Sequence, residues 1–277
     1  MTDAGAGVRA LGDIGYLRRN YLPDDYLRDA AGQGIVATVH VEALWDRARD
    51  ALEETLWLES LPRPEGIAAR YVAHVPLDSP DAGERVAAQA AIPRVAALRE
   101  TIRWHPDPAK RWTRRGLVNE AGWRRGLAAL GAHGLALDLL MNPHQSEEVA
   151  ALAADFPDQI FIVNHCGTPN DRDAEGIARW KRGLALMAAR PNIALKLSEF
   201  AGYATDHSLP ALRDTLRCCI DAFGPGRCLF ASDFPVARRH MEFAPMCDAF
   251  RAILREYTPE EQRAVFHDNA ARLYRYP

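Results

Sequence analysis

Two apolar runs of this 277-residue chain end in residues able to move protons. One reads CLFASD and ends at Asp233; the other reads IFIVNH and ends at His165. Pro235 follows the first and Gly167 the second, so each run gives way at once to a turn. A carboxylate at such a point can take a proton from water and deliver it to a leaving group. A neutral imidazole can ligate a metal, and a protonated one can polarise a carbonyl. Together they are the minimum for hydrolysis by an activated water. Singly, each has an ordinary explanation: an acid after a strand often caps a helix, and a histidine often packs in a core or loop. Their placement in the same layer, at the ends of strands, favours the catalytic reading.

Other candidates surround this pair. His40 and Glu42, two apart in the run VHVEA, are expected to face the site together. Asn142 and His144 follow the run LALDLL. Asp138 and Lys196 lie inside apolar runs, where a charge needs a partner or a site. Lys196 is expected to pair with Asp138 or Glu42, or else to serve catalysis. The segment RETIRWHPDPAKRWTRR, residues 99–115, sets basic residues around Trp104, His105 and Trp112. Guanidinium forks grip carboxylates. Arg103 and His105, nearest the preceding strand, are therefore expected to bind an anionic or polyhydroxylated small molecule, the rest forming a solvated basic loop. By strand alternation Cys166 points away from the face that His165 uses.

The elements that must position these residues follow a regular rhythm. Strands are expected at 35–41, 68–75, 94–101, 135–140, 160–165, 193–198 and 228–233, each followed by a helical pattern. Alternating β and α with nearly continuous apolar strands predicts a parallel sheet under helices. Polar residues recur at the C-terminal strand ends. That favours a (β/α)8 TIM barrel over an open doubly wound sheet, because the barrel rim collects catalytic groups. A further helix is expected over 259–274. One domain is expected over 1–277, with 1–20 irregular. Seven strands are readable where such a barrel has eight. The first is expected to lie upstream of Met1, since seven alone leave two unpaired edges.

A net charge of −3 without a basic face gives no electrostatic footprint for nucleic acid. No apolar run approaches the roughly 20 residues of a membrane helix. Five cysteines without a C-x-x-C spacing speak against a disulfide framework or zinc ribbon, and a cytoplasmic location is expected. The expected partners are a small-molecule substrate and, in a homo-oligomer, further copies of the chain.

The segments YLPDDYLRDAAGQGIVATVHVEALWD, IRWHPDP, NHCGTPNDRDAEGIARW, CLFASDFPV and FHDNAARLYR together resemble the amidohydrolase-related family. The nearest branch is that of TIM-barrel hydrolases holding pyrone-dicarboxylate lactonase and sugar lactonases. The resemblance implies hydrolysis of a lactone or a related ester or amide. By position it implies that Asp233 is the general base, that His165 binds substrate or metal, and that Arg103 and His105 lie on the substrate-facing loop. It further implies one divalent metal, zinc or similar, at His165 and Asp233, and no organic cofactor. The H-x-H of the family's first strand, which polarises the carbonyl or holds a metal, has no counterpart here. A decarboxylase of the same superfamily and a binding protein without turnover are the alternatives to a lactonase.

Overall fold

The computed structural model describes residues 14–46 and 48–276. Part of the segment expected to be irregular, residues 1–13, lies outside the described residues. Seven strands form one parallel sheet in chain order. They are β1 (Val39–Val41), β2 (Arg70–His74), β3 (Val95–Thr101), β4 (Ala136–Leu140), β5 (Phe161–Val163), β6 (Ile193–Lys196) and β7 (Cys228–Leu229). Helix α1 (Pro23–Asp29) precedes β1. The connections carry α2 (Leu52–Ser60), α3 (Ala82–Ala90), α4 (Ala121–Ala132), α5 (Ser146–Asp155), α6 (Ala174–Ala188) and α7 (Leu209–Phe223). After β7 come α8 (Phe243–Leu254), α9 (Pro259–Arg263) and α10 (Asn269–Leu273). The sheet curls into a half-barrel of the (β/α) TIM type, as the alternation predicts.

The two faces of the sheet read differently. Tyr71, Leu98, Leu137, Phe161, Val163 and Leu195 pack outward against the helices. The inner face is lined by smaller residues, Val72, Ala97, Ala136 and Ala194, with Ile162 and Leu229. Tyr274, just beyond α10, fills the space they leave and is itself fully buried. Its hydroxyl donates to Asp138 Oδ1 of β4 at 2.9 Å. The outer core rests on amphipathic helices such as α6, which buries Trp180, Leu184 and Met187. Asp173 caps α6 by accepting from the Gly176 N–H at 2.6 Å, worth about 1 kcal/mol.

Two elements are shorter than expected. β7 spans Cys228–Leu229 rather than 228–233, because the Phe230 N–H leaves the sheet and donates to the Val265 carbonyl at 2.8 Å. Val265 lies in a π turn, Ala264–Asp268, which the helix expected over 259–274 contains between α9 and α10. β1 begins at Val39 rather than 35, since Thr38 bonds to Gly66 in a connection and not to a strand. Among the described residues no helix is long and apolar enough to cross a membrane.

Candidate active site

The inner face carries charge immediately above its small residues. Arg99, Asp138 and Lys196 stand two residues beyond Ala97, Ala136 and Ala194. Asp138 is fully buried and accepts from Lys196 Nζ at 2.5 Å, Tyr274 Oη at 2.9 Å and Asn164 Nδ2 at 3.0 Å. The expected pairing of Lys196 with Asp138 is the one that forms. Arg99, also buried, donates through Nε to Glu42 Oε1 at 2.9 Å and through an NH2 group to the Glu42 carbonyl at 2.7 Å.

His40 does not join Glu42 there, contrary to expectation. Val39 and Val41 pack with the inner cluster, so His40 between them points outward. Its ring meets Tyr71 edge-on, with centroids 6.4 Å apart, and its Nε2 lies 3.6 Å from Glu54 of α2. Glu42 sits past the last ladder residue, where its side chain accepts from the Leu44 N–H at 2.8 Å and from Arg99. The two-residue rule has stopped applying by then.

Above this layer lie His165, Glu199 and Asp233, which follow β5, β6 and β7. All three have left-handed backbone, with φ of 56°, 54° and 52°. A residue carrying a Cβ loses about 1–2 kcal/mol in that region, and such strain persists only where the surroundings enforce it. At His165 it extends through Cys166, Gly167 and Thr168, all with positive φ. Trp180 of α6 holds the turn by donating from Nε1 to the Cys166 carbonyl at 2.7 Å. The Thr168 N–H closes it onto the His165 carbonyl at 2.7 Å.

This turn replaces the alternation expected for β5. Phe161 and Val163 face the helices, and a straight continuation would have sent His165 after them. The left-handed turn brings it instead among Arg99, Arg103 and Lys196, while Cys166 packs in the helix-side core. His165 Nδ1 lies 2.8 Å from Ser198 Oγ, which also accepts from the His165 N–H at 3.2 Å. Ser198 Oγ can donate its proton to Nδ1, and in that arrangement the ring proton sits on Nε2. Burial, with Arg99, Arg103 and Lys196 nearby, pushes this imidazole well below its ordinary range, so it is neutral.

The two carboxyls move the other way. Burial pushes Asp233 up to about 6 against the pull of Arg99 and Lys196. Burial and then the Asp233 charge push Glu199 up to about 8, with Arg239 and Arg103 opposing. Each feels the other, so their protons leave as a pair in two steps.

Arg103 joins this rim. Its Nε donates to Asn142 Oδ1 at 3.2 Å, and its guanidinium lies over the Trp112 ring, 4.8 Å from the centroid. His105 and His144 form a separate cluster, with rings edge to face at 4.7 Å. Both turn to Asp171: the His105 Nε2 is 3.0 Å and the His144 Nε2 3.4 Å from its Oδ2. Lys110 at 2.5 Å and Arg179 at 3.1 Å complete its surroundings. Burial alone would raise Asp171, but the bonds from Lys110 and His105 and their charges outweigh it and hold the carboxyl far below its usual range.

Residues 1–276 match the amidohydrolase family. An uncharacterized protein of Sinorhizobium fredii, y4mH, is 31% identical over 272 residues, covering 98% of this chain and 91% of its own. The L-fucono-1,5-lactonase of Burkholderia multivorans is 29% identical over 280 residues, covering 95% of this chain and 89% of its own. Two crystal structures of a Burkholderia multivorans amidohydrolase, one with bound HEPES and one with bound zinc, match with TM-scores of 0.84 and 0.82 at 28% identity. They cover 99% and 95% of this chain, and 95% and 92% of the matched chains. This chain belongs to the amidohydrolase family. It is a hydrolase of the amidohydrolase superfamily, on a barrel fold.

The amidohydrolase resemblance implies a divalent metal at His165 and Asp233; among the described residues no third His, Cys, Asp or Glu brings a ligand atom together with theirs. Among the described residues, the group of three His, Cys, Asp or Glu whose ligand atoms converge, within 4.8 Å, is His105, His144 and Asp171. His165 and Asp233 are flanked instead by the fixed charges of Arg99 and Lys196. The second cluster has spacing that suits a divalent ion. Its carboxylate, however, already accepts from Lys110 and Arg179, and Arg179 also donates to His144 Nε2 at 3.3 Å. An ion would have to displace both cations.

Sequence reasoning singled out Asp233, His165 and Arg103; it put Arg99 in the solvated basic loop, whereas that residue is buried in β3, and it passed over Ser198, Glu199, Asp171 and Tyr274. Arg99 carried the same signal as Asp138, a charge inside a strand. Glu199, Asp171 and Tyr274 carried none, because only the fold brings their partners to them.

Proposed function

We propose that this amidohydrolase opens a lactone, a cyclic ester of a small carboxylated or sugar-derived substrate. The observation that supports this reading is the convergence of a buried neutral His165 and an ionisable Asp233 at one barrel rim, among Arg99, Arg103 and Lys196. Asp233 takes the proton of the attacking water. Its value of about 6 leaves it ionised at neutral pH yet basic enough to accept that proton. Neutral His165 hydrogen-bonds through its Nε2–H to the carbonyl oxygen, on which negative charge grows as water adds, and keeps its proton throughout. Arg103, steadied by Asn142 and Trp112, takes a carboxylate or vicinal hydroxyls of the substrate. His105 and His144 act one step removed, by fixing with Asp171 the loop that carries Arg103. No step runs through a metal.

The lactonase from Burkholderia multivorans, at 29% identity, makes sugar 1,5-lactones the first class to try. A panel of sugar lactones and pyrone carboxylates, followed by proton release, tests the reading. Turnover by the wild type and its loss in Asp233→Asn are expected. Wild-type inactivity across the panel overturns the lactonase reading. Full activity in Asp233→Asn overturns the base assignment. Carbon dioxide release without ring opening assigns a decarboxylase instead.

A further inference from the structure

Water attack at the rim leaves one reactive group without a task, the carboxyl of Glu199. It stands in the connection after β6, directly after Ser198, with φ of 54°. Its charge neighbours are Asp233, Arg239 and Arg103, and the half-buried Tyr203 lies among the same groups. Its Oε2 is buried and accepts no hydrogen bond from the described residues. The backbone makes room for this carboxyl: a Cβ placed on Gly202 would lie 2.3 Å from Oε2 and 2.7 Å from the carboxyl carbon. The Gly202 N–H closes the turn by donating to the Glu199 carbonyl at 3.0 Å. A buried carboxylate oxygen without a donor is expensive, and the neutral acid is the form such a pocket tolerates. A neutral acid beside an ionised one is the arrangement that separates acid from base roles.

We infer that Glu199 is the general acid of the reaction, giving its proton to the ring oxygen as the lactone C–O bond breaks. The inference rests on the hydrolytic reading above. The water oxygen bonds to the carbonyl carbon while Asp233 takes the water proton. The ring C–O bond then breaks with its electron pair going to the ring oxygen, which takes the Glu199 proton. The product is the open hydroxy acid. Asp233 returns its proton to solvent and Glu199 regains one, so lactone and water are the only reactants consumed.

An alkoxide leaves poorly without a proton, whereas a phenolate leaves without help, and this separates the acid from a structural residue. Wild type, Glu199→Gln, Gly202→Ala and Asp233→Asn are compared on two lactones that the wild type turns over. One is an aliphatic sugar lactone and the other an aryl lactone of the dihydrocoumarin type. Glu199→Gln is expected to lose on the order of 10²–10³-fold in kcat on the sugar lactone and under about 10-fold on the aryl lactone. Gly202→Ala, which displaces the carboxyl without removing it, is expected to show the same bias, and it reads the proposal should Glu199→Gln not fold. Asp233→Asn is expected to lose activity on both. Equal losses on both lactones in folded Glu199→Gln and Gly202→Ala overturn the acid assignment. Wild-type failure on every lactone overturns the hydrolytic reading and this inference with it.

Discussion

Two clusters of acid and histidine lie within the same barrel mouth and end in opposite states. Asp171 is surrounded by His105, His144, Lys110 and Arg179, and its carboxyl is held far below the ordinary range. Asp233 has its cations engaged elsewhere, Arg99 by Glu42 and Lys196 by Asp138, and Glu199 feels the Asp233 charge; burial pushes both carboxyls up. Residue types do not distinguish the clusters; the number of satisfied partners does. A saturated carboxylate has no reason to exchange protons and serves as a clamp on three loops. An under-partnered one keeps its proton chemistry available, at a cost to stability.

The largest expected effect is on turnover. Asp233→Asn should lower kcat on a sugar lactone by about 10³-fold, while Asp171→Asn should lower it by no more than about 10-fold, through Arg103 positioning and mainly in KM. Comparable kcat losses in the two variants would break the distinction.

Stability should invert the order. Removing the Asp171 charge leaves Lys110 and Arg179 facing each other, and we expect a loss of about 2 kcal/mol, or about 5 °C in Tm. Asp233→Asn should hold or raise the Tm at pH 8. The pH dependence sharpens this. The Asp171 contribution, from a depressed carboxyl, is present above the ordinary carboxylate range and fades as pH falls below it. The Asp233 and Glu199 values are raised, so their penalty is absent near pH 4 and grows as pH rises through about 6 and about 8. Thermal melts of the wild type and both variants from pH 4 to 9 should therefore show differences of opposite sign at pH 8. The Asp233 difference should vanish near pH 4.

A smaller expected effect concerns metal. Chelation should leave turnover within about two-fold, and zinc should raise the Tm only slightly, since an ion must first displace Lys110 and Arg179. A zinc-dependent rise of several degrees that Asp171→Asn abolishes would turn the clamp into a metal centre. Smallest is Tyr274→Phe, which removes one bond to buried Asp138 and should cost about 1 kcal/mol by denaturant melts without changing substrate preference.

The strand rhythm and the chemistry of strand ends were legible in the sequence because both follow from short-range periodicity. That is why β3 and β4 fall close to their expected bounds, and why Asp233 and His165 stand out. Where the backbone leaves the ladder, the reading fails. His165, Cys166 and Thr168 adopt a conformation that glycine signals and these residues do not. His40 was placed with Glu42 by a rule that holds only inside a strand. Tyr274 reaches Asp138 across 136 residues, a contact no local pattern contains.

The left-handed turn at residues 165–168 also has a consequence in time. It is a wound segment kept in place by Trp180 and Ser198 rather than by its own preference. The rim must therefore be among the last parts to lock when the chain folds, after α6 has docked, and among the first to loosen. Amide exchange at 165–168 should run ahead of that in β4, and a ligand seated on His165 should slow it most there.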